Sequence, residues 1–442
     1  MILQSKMEKI LIIGSGAREH AIAKALEKSK HPKMIYCLAT NMNPGIAEIC
    51  EEILIGNIND NQFVCDYGKE IGATIAIIGP ENPLARGVSD SLWNNNIPVV
   101  GPKKELAQVE TSKAFTRKLQ HDYKIPGGPI YKYFRAIDGV EEFLKELGKN
   151  YVVKYDGLAG GKGVKVSGDH LKSHKEALNH CRSLIKNNQS FLIEEKFIGQ
   201  EFSLMSFCDG ENLKHMPVVQ DHKRAYEGDT GPNTGGMGTY TDHDHSLPFL
   251  NGKDIEQASQ INFQTAKALK KKFKTGYKGI LYGGFMATKN GVRLIEYNAR
   301  FGDPEAMNVL SLLETDFIDI CKGIISQSLN EINVSFEKKA TVCKYAVPKG
   351  YPEKPIKNQP IDISNIKNKG SLFYGSVEIK NGQLVESGSR TMAIVGKAET
   401  ITKAEEIAEK EICLVKGPLF HRKDIGTEKL IKEKVDQMNS LR

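Results

Sequence analysis

No stretch of the 442-residue chain approaches the ~20 consecutive apolar residues that span a bilayer, so no transmembrane helix is expected. The apolar run Ile10 to Ile13 is too short for the core of a signal peptide and leads straight into Gly14. There is no C-x-x-C pair. The eight cysteines (37, 50, 65, 181, 208, 321, 343 and 413) are dispersed as small buried hydrophobes are, and a reducing cytoplasm is the expected compartment. The 41 Gly and 17 Pro follow no period, which excludes collagen-like repeats, and their near-average counts exclude disorder and coiled coil. One Trp and no dense Lys/Arg block leave little for nucleic-acid recognition. The charge balance, 61 Lys plus Arg against 54 Asp plus Glu, gives +7. That mild excess suits an anionic small ligand as readily as a polynucleotide.

What remains is a 40% hydrophobic chain of a length that suggests about three domains at roughly 150 residues each. The first hundred residues alternate apolar runs (9–13, 33–38, 74–78, 98–100) with amphipathic stretches (18–29, 84–94), which reads as βαβ units and a doubly wound parallel sheet. In such sheets ligands sit at the carboxyl ends of the strands, where G-S-G-A-R-E-H (14–20) and G-P-E-N-P (79–83) lie. A long helix is expected over 103–123, ending before the breaker cluster Pro126-Gly127-Gly128-Pro129, read as a hinge. Helices around 140–147 and 174–186 and strands at 151–155, 163–166 and 191–197 then form a unit small enough to be a lid. The segment 200–330 adds strands, a polar loop, a helix at 254–273 and a hairpin turning at 289–291. Beyond 330, short strands with a single helix at 402–414 predict a small mixed α/β domain. The expected division is therefore 1–109, 110–330 with a lid at about 126–195, and 331–442.

Four strings carry chemistry. In K-Y-D-G-L-A-G-G-K-G (154–163), glycines 157, 160, 161 and 163 allow close backbone approach to a ligand, with Lys154 and Lys162 bracketing the loop. It joins two strands and lacks the G-K-[ST] ending, so it resembles a phosphate-covering flap and not a Walker A loop. In I-E-Y-N-A-R-F-G-D-P-E (295–305), Glu296 and Asn298 project from one face of a strand, a pairing suited to Mg²⁺, and Arg300 continues that face toward a carboxylate or phosphate. In F-L-I-E-E-K-F-I-G-Q-E (191–201), Glu194 and Glu195 end an apolar strand before Glu201, as in a nucleotide hinge. The loop 220–238, Q-D-H-K-R-A-Y-E-G-D-T-G-P-N-T-G-G-M-G, offers charge of both signs at 221–224 and backbone donors at 233–236. The spacing of His215, His222, His243 and His245 fits no zinc template.

Together these strings, with S-K-A-F-T (112–116) and F-H-R-K-D-I-G (420–426), identify a resemblance to the ATP-grasp superfamily, and within it to the glycinamide ribonucleotide synthetases, over nearly the whole chain. The resemblance implies ligation of glycine to 5-phosphoribosylamine through a glycyl phosphate, with ATP and Mg²⁺ (or Mn²⁺), in de novo purine synthesis. It implies that Lys113 and Lys154 hold ATP phosphates beneath the loop with Gly157, Gly160, Gly161, Lys162 and Gly163. Glu194, Glu195, Phe197 and Ile198 would line the adenine pocket, with Glu201 at the ribose. Glu296 and Asn298 become the metal ligands. Catalysis is assigned to Arg300, Lys154 and Asp221, with Arg300 orienting the acyl phosphate. Gly14, Ser15 and Gly16 would meet the phosphate of phosphoribosylamine and Glu81 its amine. Asp221, Lys223, Asn233, Thr234, Gly235 and Gly236 would complete the glycine pocket.

The chain departs from the usual K-A-D-G-L-A-A-G-K-G at Tyr155 and Gly161, and the extra glycine is expected to loosen the flap. The loop after the first strand lacks the third glycine of a dinucleotide fingerprint, which argues against a dinucleotide-binding protein. D-T-G-P-N-T-G-G-M-G argues against a carboxyphosphate-using ATP-grasp ligase. A monofunctional enzyme, monomeric or dimeric, acting on small molecules without nucleic acid or membrane, is the expectation.

Overall fold

The computed structural model describes residues 7–160 and 163–442, so Gly161 and Lys162 lie outside the described residues. Near the N-terminus five parallel strands align in the order Glu52–Ile55, Lys33–Ala39, Glu8–Ile13, Ile75–Ile78, Val99–Val100. The middle strand is fully buried from Ile10 to Ile13, as expected of a sheet covered on both faces. The edge strand Glu52–Ile55 escapes sequence reading because it is four residues long and only half-buried. The helix Asn61–Glu70 escapes as well, although Asp60 caps it by accepting from Gln62 and Phe63 N–H groups.

Two expected helices are each divided. Gly87, at φ +85°, separates Glu81–Arg86 from Val88–Asn94. Ser112 leaves helical geometry and accepts from Phe115 N at 3.0 Å, so the stretch 103–123 yields Gln108–Thr111 and Lys113–Asp122. The capping geometry turns Lys113 into the first residue of a helix beneath the glycine-rich loop.

The small unit is an antiparallel sheet ordered Tyr131–Phe134, Phe191–Glu195, Tyr151–Tyr155, Val164–Val166, with helices Val140–Leu147 and His174–Lys186. Its strands obey the two-residue alternation strictly. Tyr151, Val153, Phe191 and Ile193 enter a separate apolar cluster with Phe143 and Leu144, while Val152, Lys154 and Glu194 face the rest of the chain. Gly127 packs against the strand Gly291–Asn298, its carbonyl accepting from Leu294 N at 2.8 Å, so the breaker cluster is a docked crossing.

A second antiparallel sheet, Leu213–His215, Gly199–Asp209, Lys278–Thr288, Gly291–Asn298, is backed by the 22-residue helix Gly252–Phe273, which opens with an Asn251/Asp254 capping box. The polar loop 221–240 is anchored elsewhere: its flanking strands Gln220–Asp221 and Gly238–Thr241 join Ala340–Pro348, Met392–Ala398 and Leu372–Tyr374 in a C-terminal sheet. The expected single late helix is Ile401–Ile412, and a second, Glu428–Leu441, follows it and packs back on Gly199–Asp209. Among the described residues no helix is long and apolar enough to cross a membrane. Six cysteines are buried; Cys50 is half-buried and Cys413 exposed, against the uniform burial expected from their scatter.

Candidate active site

A cavity of about 1350 Å³ opens where the three sheets and the small unit meet, large enough for a nucleotide with a second ligand. Its roof is the outward face of the small unit. Glu194 is buried there between two cations: Arg117 Nε and Nη2 donate to its two oxygens at 2.7 and 3.0 Å, and Lys154 Nζ lies 2.7 Å away. Arg117 Nη2 and Lys154 Nζ also reach Ile295 O, at 2.6 and 3.1 Å, stitching the roof to the strand that carries Glu296. Burial alone would raise the Glu194 pKa, but Arg117 and Lys154 outweigh it and hold the group at about 2. The Lys154 pKa is lowered, by burial first. Glu194 therefore positions Lys154 with its carboxylate, while the residue itself still forms part of the cavity wall.

Glu195 Oε1 accepts from Ile130 N at 3.0 Å and pairs with Arg293 at 2.5 Å, and the Arg293 guanidinium stacks on Phe197 at 4.8 Å. Glu195, Phe197 and Glu201 line the cavity, whereas the Ile198 side chain is exposed to solvent. Glu201 is paired with Lys223. Lys113 Nζ donates to Gly157 O at 3.1 Å, and the neighbouring Asp156 accepts from Ser112 Oγ and Ala114 N. Gly157, Gly160 and Gly163 line the cavity too. Tyr155 fills the space under this loop, since a Cβ at Gly157 would come within 2.7 Å of its ring.

Glu296 and Asn298 face the cavity from one side of their strand, as the spacing predicts. The strand ends at Asn298, so Arg300 does not continue it. Arg300 swings instead to Glu110, 2.9 Å from Nη2, and to Glu81, 3.4 Å from Nε. Glu110 is itself pinned by Ala299 N at 2.7 Å. Burial lowers and these carboxylates raise the Arg300 pKa, with the carboxylates prevailing. Glu296 has no hydrogen-bond or ion-pair partner among the described residues. Burial would raise its pKa, yet Lys223, Lys113, Lys154 and Arg300 together lower it. An ionised, partnerless carboxylate beside an amide oxygen is a donor set that fits a hard divalent cation.

Asp221 is enclosed by the polar loop. Its pKa rises well above the ordinary value, through burial and then the neighbouring Glu305, and Oδ1 has no hydrogen-bond partner among the described residues. Burial lowers the Lys223 pKa but Glu201, Glu296 and Asp221 raise it further. Asn233, Thr234 and Gly235 line the cavity, but expected free donors of the loop are already engaged: Thr234 N donates to Lys223 O, Gly236 N to Thr234 Oγ1, and Gly235 N to Tyr351 Oη at 3.5 Å. Gly236 sits behind the wall at φ +110°, where a Cβ would lie 2.6 Å from Asp221 Oδ1.

Gly14, Ser15 and Gly16 do not line the cavity. Gly16 N donates to Glu19 Oε2 at 2.6 Å, so a side chain of the first helix fills the anion-favouring end expected to take a phosphate, and Ser15 Oγ is bonded to Thr40 and Asn41. Glu81 does line the cavity, beside Arg18, whose Nε pairs with Glu19 at 2.7 Å.

Sequence reasoning missed Arg18, Glu110, Arg117 and Arg390. The first and third lie inside strings it had singled out or just beyond them. Arg390 carries no local signal: it arrives from the loop that precedes the strand Met392–Ala398, donating to Gly235 O at 2.6 Å and Asp303 O at 2.7 Å and stacking on Tyr345. The four histidines stay apart. His215 bonds Ser206, His243 bonds Asp242, His245 bonds Glu337 O, and His222 is buried against Tyr240.

The chain matches three family models, described as the N domain of phosphoribosylglycinamide synthetase over residues 8–110, its ATP-grasp (A) domain over 111–306 and its C domain over 341–428. It is 50% identical over 434 residues to a phosphoribosylamine–glycine ligase of Methanosarcina barkeri, covering 98% of this chain and 100% of that protein. It is 49% identical over 444 aligned positions to one of Methanocaldococcus jannaschii, again covering 98% and 100%. Among solved structures, phosphoribosylamine–glycine ligase from Thermotoga maritima aligns with a TM-score of 0.81 at 26% identity, over 94% of this chain and 100% of that one.

Proposed function

The chain belongs to the phosphoribosylglycinamide synthetase family, and from that premise we propose that it joins glycine to 5-phosphoribosylamine in the cytoplasm. The products are glycinamide ribonucleotide, ADP and phosphate, in purine biosynthesis. The observation that carries this reading is Glu296: an ionised carboxylate without a partner among the described residues, facing a cavity into which Lys113, Lys154, Lys223 and Arg300 all direct their charge. Four cations around one open carboxylate suit a metal–nucleotide and a second anionic substrate better than either alone.

A carboxylate is a poor electrophile until one oxygen becomes a leaving group, so the γ-phosphoryl of ATP passes to glycine and the amine then displaces it. Lys154, oriented by Glu194, and Lys113, held at Gly157 O, bind the phosphates and bring them in line with the glycine carboxylate. Glu296 and Asn298 would hold Mg²⁺, or Mn²⁺ in its place, which would supply charge neutralisation at the phosphates. Glu195 and Phe197 line the adenine side and Glu201 the ribose. Arg300 orients the acyl phosphate, using an ion pair with Glu81 that can open toward the incoming amine. Asp221 and Lys223 hold glycine, while Arg390 fixes the loop that bounds it. The domain division 1–109, 110–330 and 331–442 and a lid at 126–195 follow the same reading. The lid excludes water, which would otherwise hydrolyse glycyl phosphate.

The deciding experiment is a coupled ADP-release assay with freshly made phosphoribosylamine. Turnover is expected to need both glycine and the amine; dependence on bicarbonate in place of glycine would overturn the proposal.

A further inference from the structure

Outside the cavity, the exposed Cys413 has company that its place in the sequence conceals. It follows the helix Ile401–Ile412 one turn after Glu409, and the strand Leu419–Phe420 brings His421 back to the same spot. The Cys413 Sγ, a Glu409 carboxylate oxygen and a His421 ring nitrogen all lie within 4.8 Å of one another. Sγ is 3.4 Å from Glu409 Oε1, and His421 Nε2 is 3.1 Å from both carboxylate oxygens. Zinc bonds of about 2.3 Å to sulfur and about 2.0–2.2 Å to nitrogen or oxygen, arranged tetrahedrally, place oxygen and nitrogen about 3.3 Å apart and oxygen and sulfur about 3.5 Å. The observed spacings are therefore close to the edges of a zinc tetrahedron before any side chain moves.

We propose that Glu409, Cys413 and His421 form a second metal site, distinct from the substrate cavity, that takes one Zn²⁺-class ion with solvent at the fourth position. A thiolate and an imidazole select a borderline ion over Mg²⁺, which prefers oxygen. The carboxylate is aimed by an outer partner: buried Lys344 holds Glu409 Oε2 at 2.7 Å and also meets Glu405 Oε1 and Lys423 O, at 2.5 and 2.8 Å. Lys344, Glu405 and Glu409 together carry one net negative charge. Loss of the Cys413 proton to solvent, as the sulfur–metal bond forms, makes that two, the charge a divalent ion neutralises. Lys423 is the further cation acting on the thiol, and with it the balance stays negative.

The other three-residue group of this kind among the described residues, His31 with Asp316 and Asp319, differs in kind. The Asp316 oxygens are already taken by Ser29 Oγ, Lys30 N and Ile318 N, as a helix cap. Metal at His421 would fix the segment that continues into Arg422, a buried residue paired with Asp229 of the polar loop at 2.8 Å.

The test uses the full chain, stripped with a chelator, with Co²⁺ as probe and excess Mg²⁺ present to occupy oxygen-only sites. A near-ultraviolet sulfur-to-cobalt charge-transfer band is expected, saturating at one Co²⁺ per chain and displaced by Zn²⁺. Cys413→Ser should abolish the band, and His421→Ala should weaken Co²⁺ binding by at least about tenfold, the loss that removal of an outer partner already causes. Both variants should keep the wild-type circular dichroism; Cys413 is exposed, so the serine variant decides even where the other fails to fold. Absence of the band in the wild type, or its survival in Cys413→Ser, overturns the proposal.

Discussion

Replacing Glu194 with Gln should destabilise the protein more than replacing Arg117 with Met, although the two residues share a bidentate ion pair. Among the described residues Glu194 is the one anion in direct contact with both Arg117 and Lys154, and the three side chains are 2%, 2% and 6% exposed. Glu194→Gln strands two cations in a low-dielectric roof, whereas Arg117→Met leaves a balanced Glu194–Lys154 pair. Breaking a buried pair by removing one partner costs about 3–5 kcal/mol. The glutamine variant belongs at or above the top of that range and the methionine variant near or below its bottom. At roughly 2–4 °C per kcal/mol for a cooperative unit of this size, the melting temperature of Glu194→Gln should fall by about 10 °C or more, and that of Arg117→Met by about half as much.

A pH series separates this electrostatic account from simple packing loss. The folded Glu194 carboxyl is held near 2 against an ordinary 4.5. A depressed carboxylate stabilises fully above the unfolded value, and that contribution disappears as pH falls from about 5 toward 2. The gap corresponds to about 3 kcal/mol. Wild-type melting temperatures should drop across that window and those of Glu194→Gln should drop less. An Arg117→Met protein less stable than Glu194→Gln, or identical acid slopes in wild type and Glu194→Gln, would refute the reasoning.

Glu296→Ala should lower glycine-dependent ADP release by more than about 100-fold, beyond what loss of an outer metal partner causes, while the melting temperature holds, because the group removed is cavity-facing and unpaired; near-wild-type turnover would remove Glu296 from the metal role. Gly236→Ala, forced against Asp221 at a positive φ, should raise the KM for glycine several-fold and leave the KM for ATP near its wild-type value; equal effects on both would show a general unfolding of the loop. ATP with Mg²⁺ should slow proteolytic cleavage within 126–195, and an unchanged cleavage rate would count against lid closure.

The legible parts of the fold were those with strong local periodicity: the buried strand 10–13, the alternation that turns Lys154 and Glu194 to one side, and the long amphipathic helix Gly252–Phe273. Punctuation inside a pattern was the weak point. Ser112 and Gly87 each cut what composition presents as one helix, and both cuts matter, since the first aims Lys113 and the second follows the turn bearing Glu81. The candidate site was legible as a set of strings, because glycines and paired polar residues at fixed spacing carry a local signal. Partnership was not. That Glu194 serves Lys154, that Arg300 leaves its strand for Glu110, and that Arg390 clamps Gly235 all depend on contacts across roughly 40 to 190 residues. Glu19 illustrates the converse: a loop with the composition of an anion site is filled by a carboxylate of its own helix.

These partnerships also explain how a cavity rich in cations persists before an anion arrives. Lys154 leans on Glu194, Lys223 on Glu201 and Arg300 on Glu110 and Glu81, so most of the positive charge is neutralised within the chain. The pairs are not equivalent. Glu194 and Glu110 are buried and fixed by further hydrogen bonds that they accept, from Arg117 and from Ala299 N respectively, and so act as permanent supports. Glu201 and Glu81 are 37% and 26% exposed, so a substrate can take their place at much lower desolvation cost. Arg300 has one fixed and one replaceable partner, so under the proposed mechanism it can turn toward an acyl phosphate without losing its anchor. Glu296 is then the exception: Lys154, Lys223 and Arg300 each have a carboxylate partner and Lys113 has Gly157 O, so under the proposed mechanism the carboxylate left over gains most when a divalent ion enters with the nucleotide.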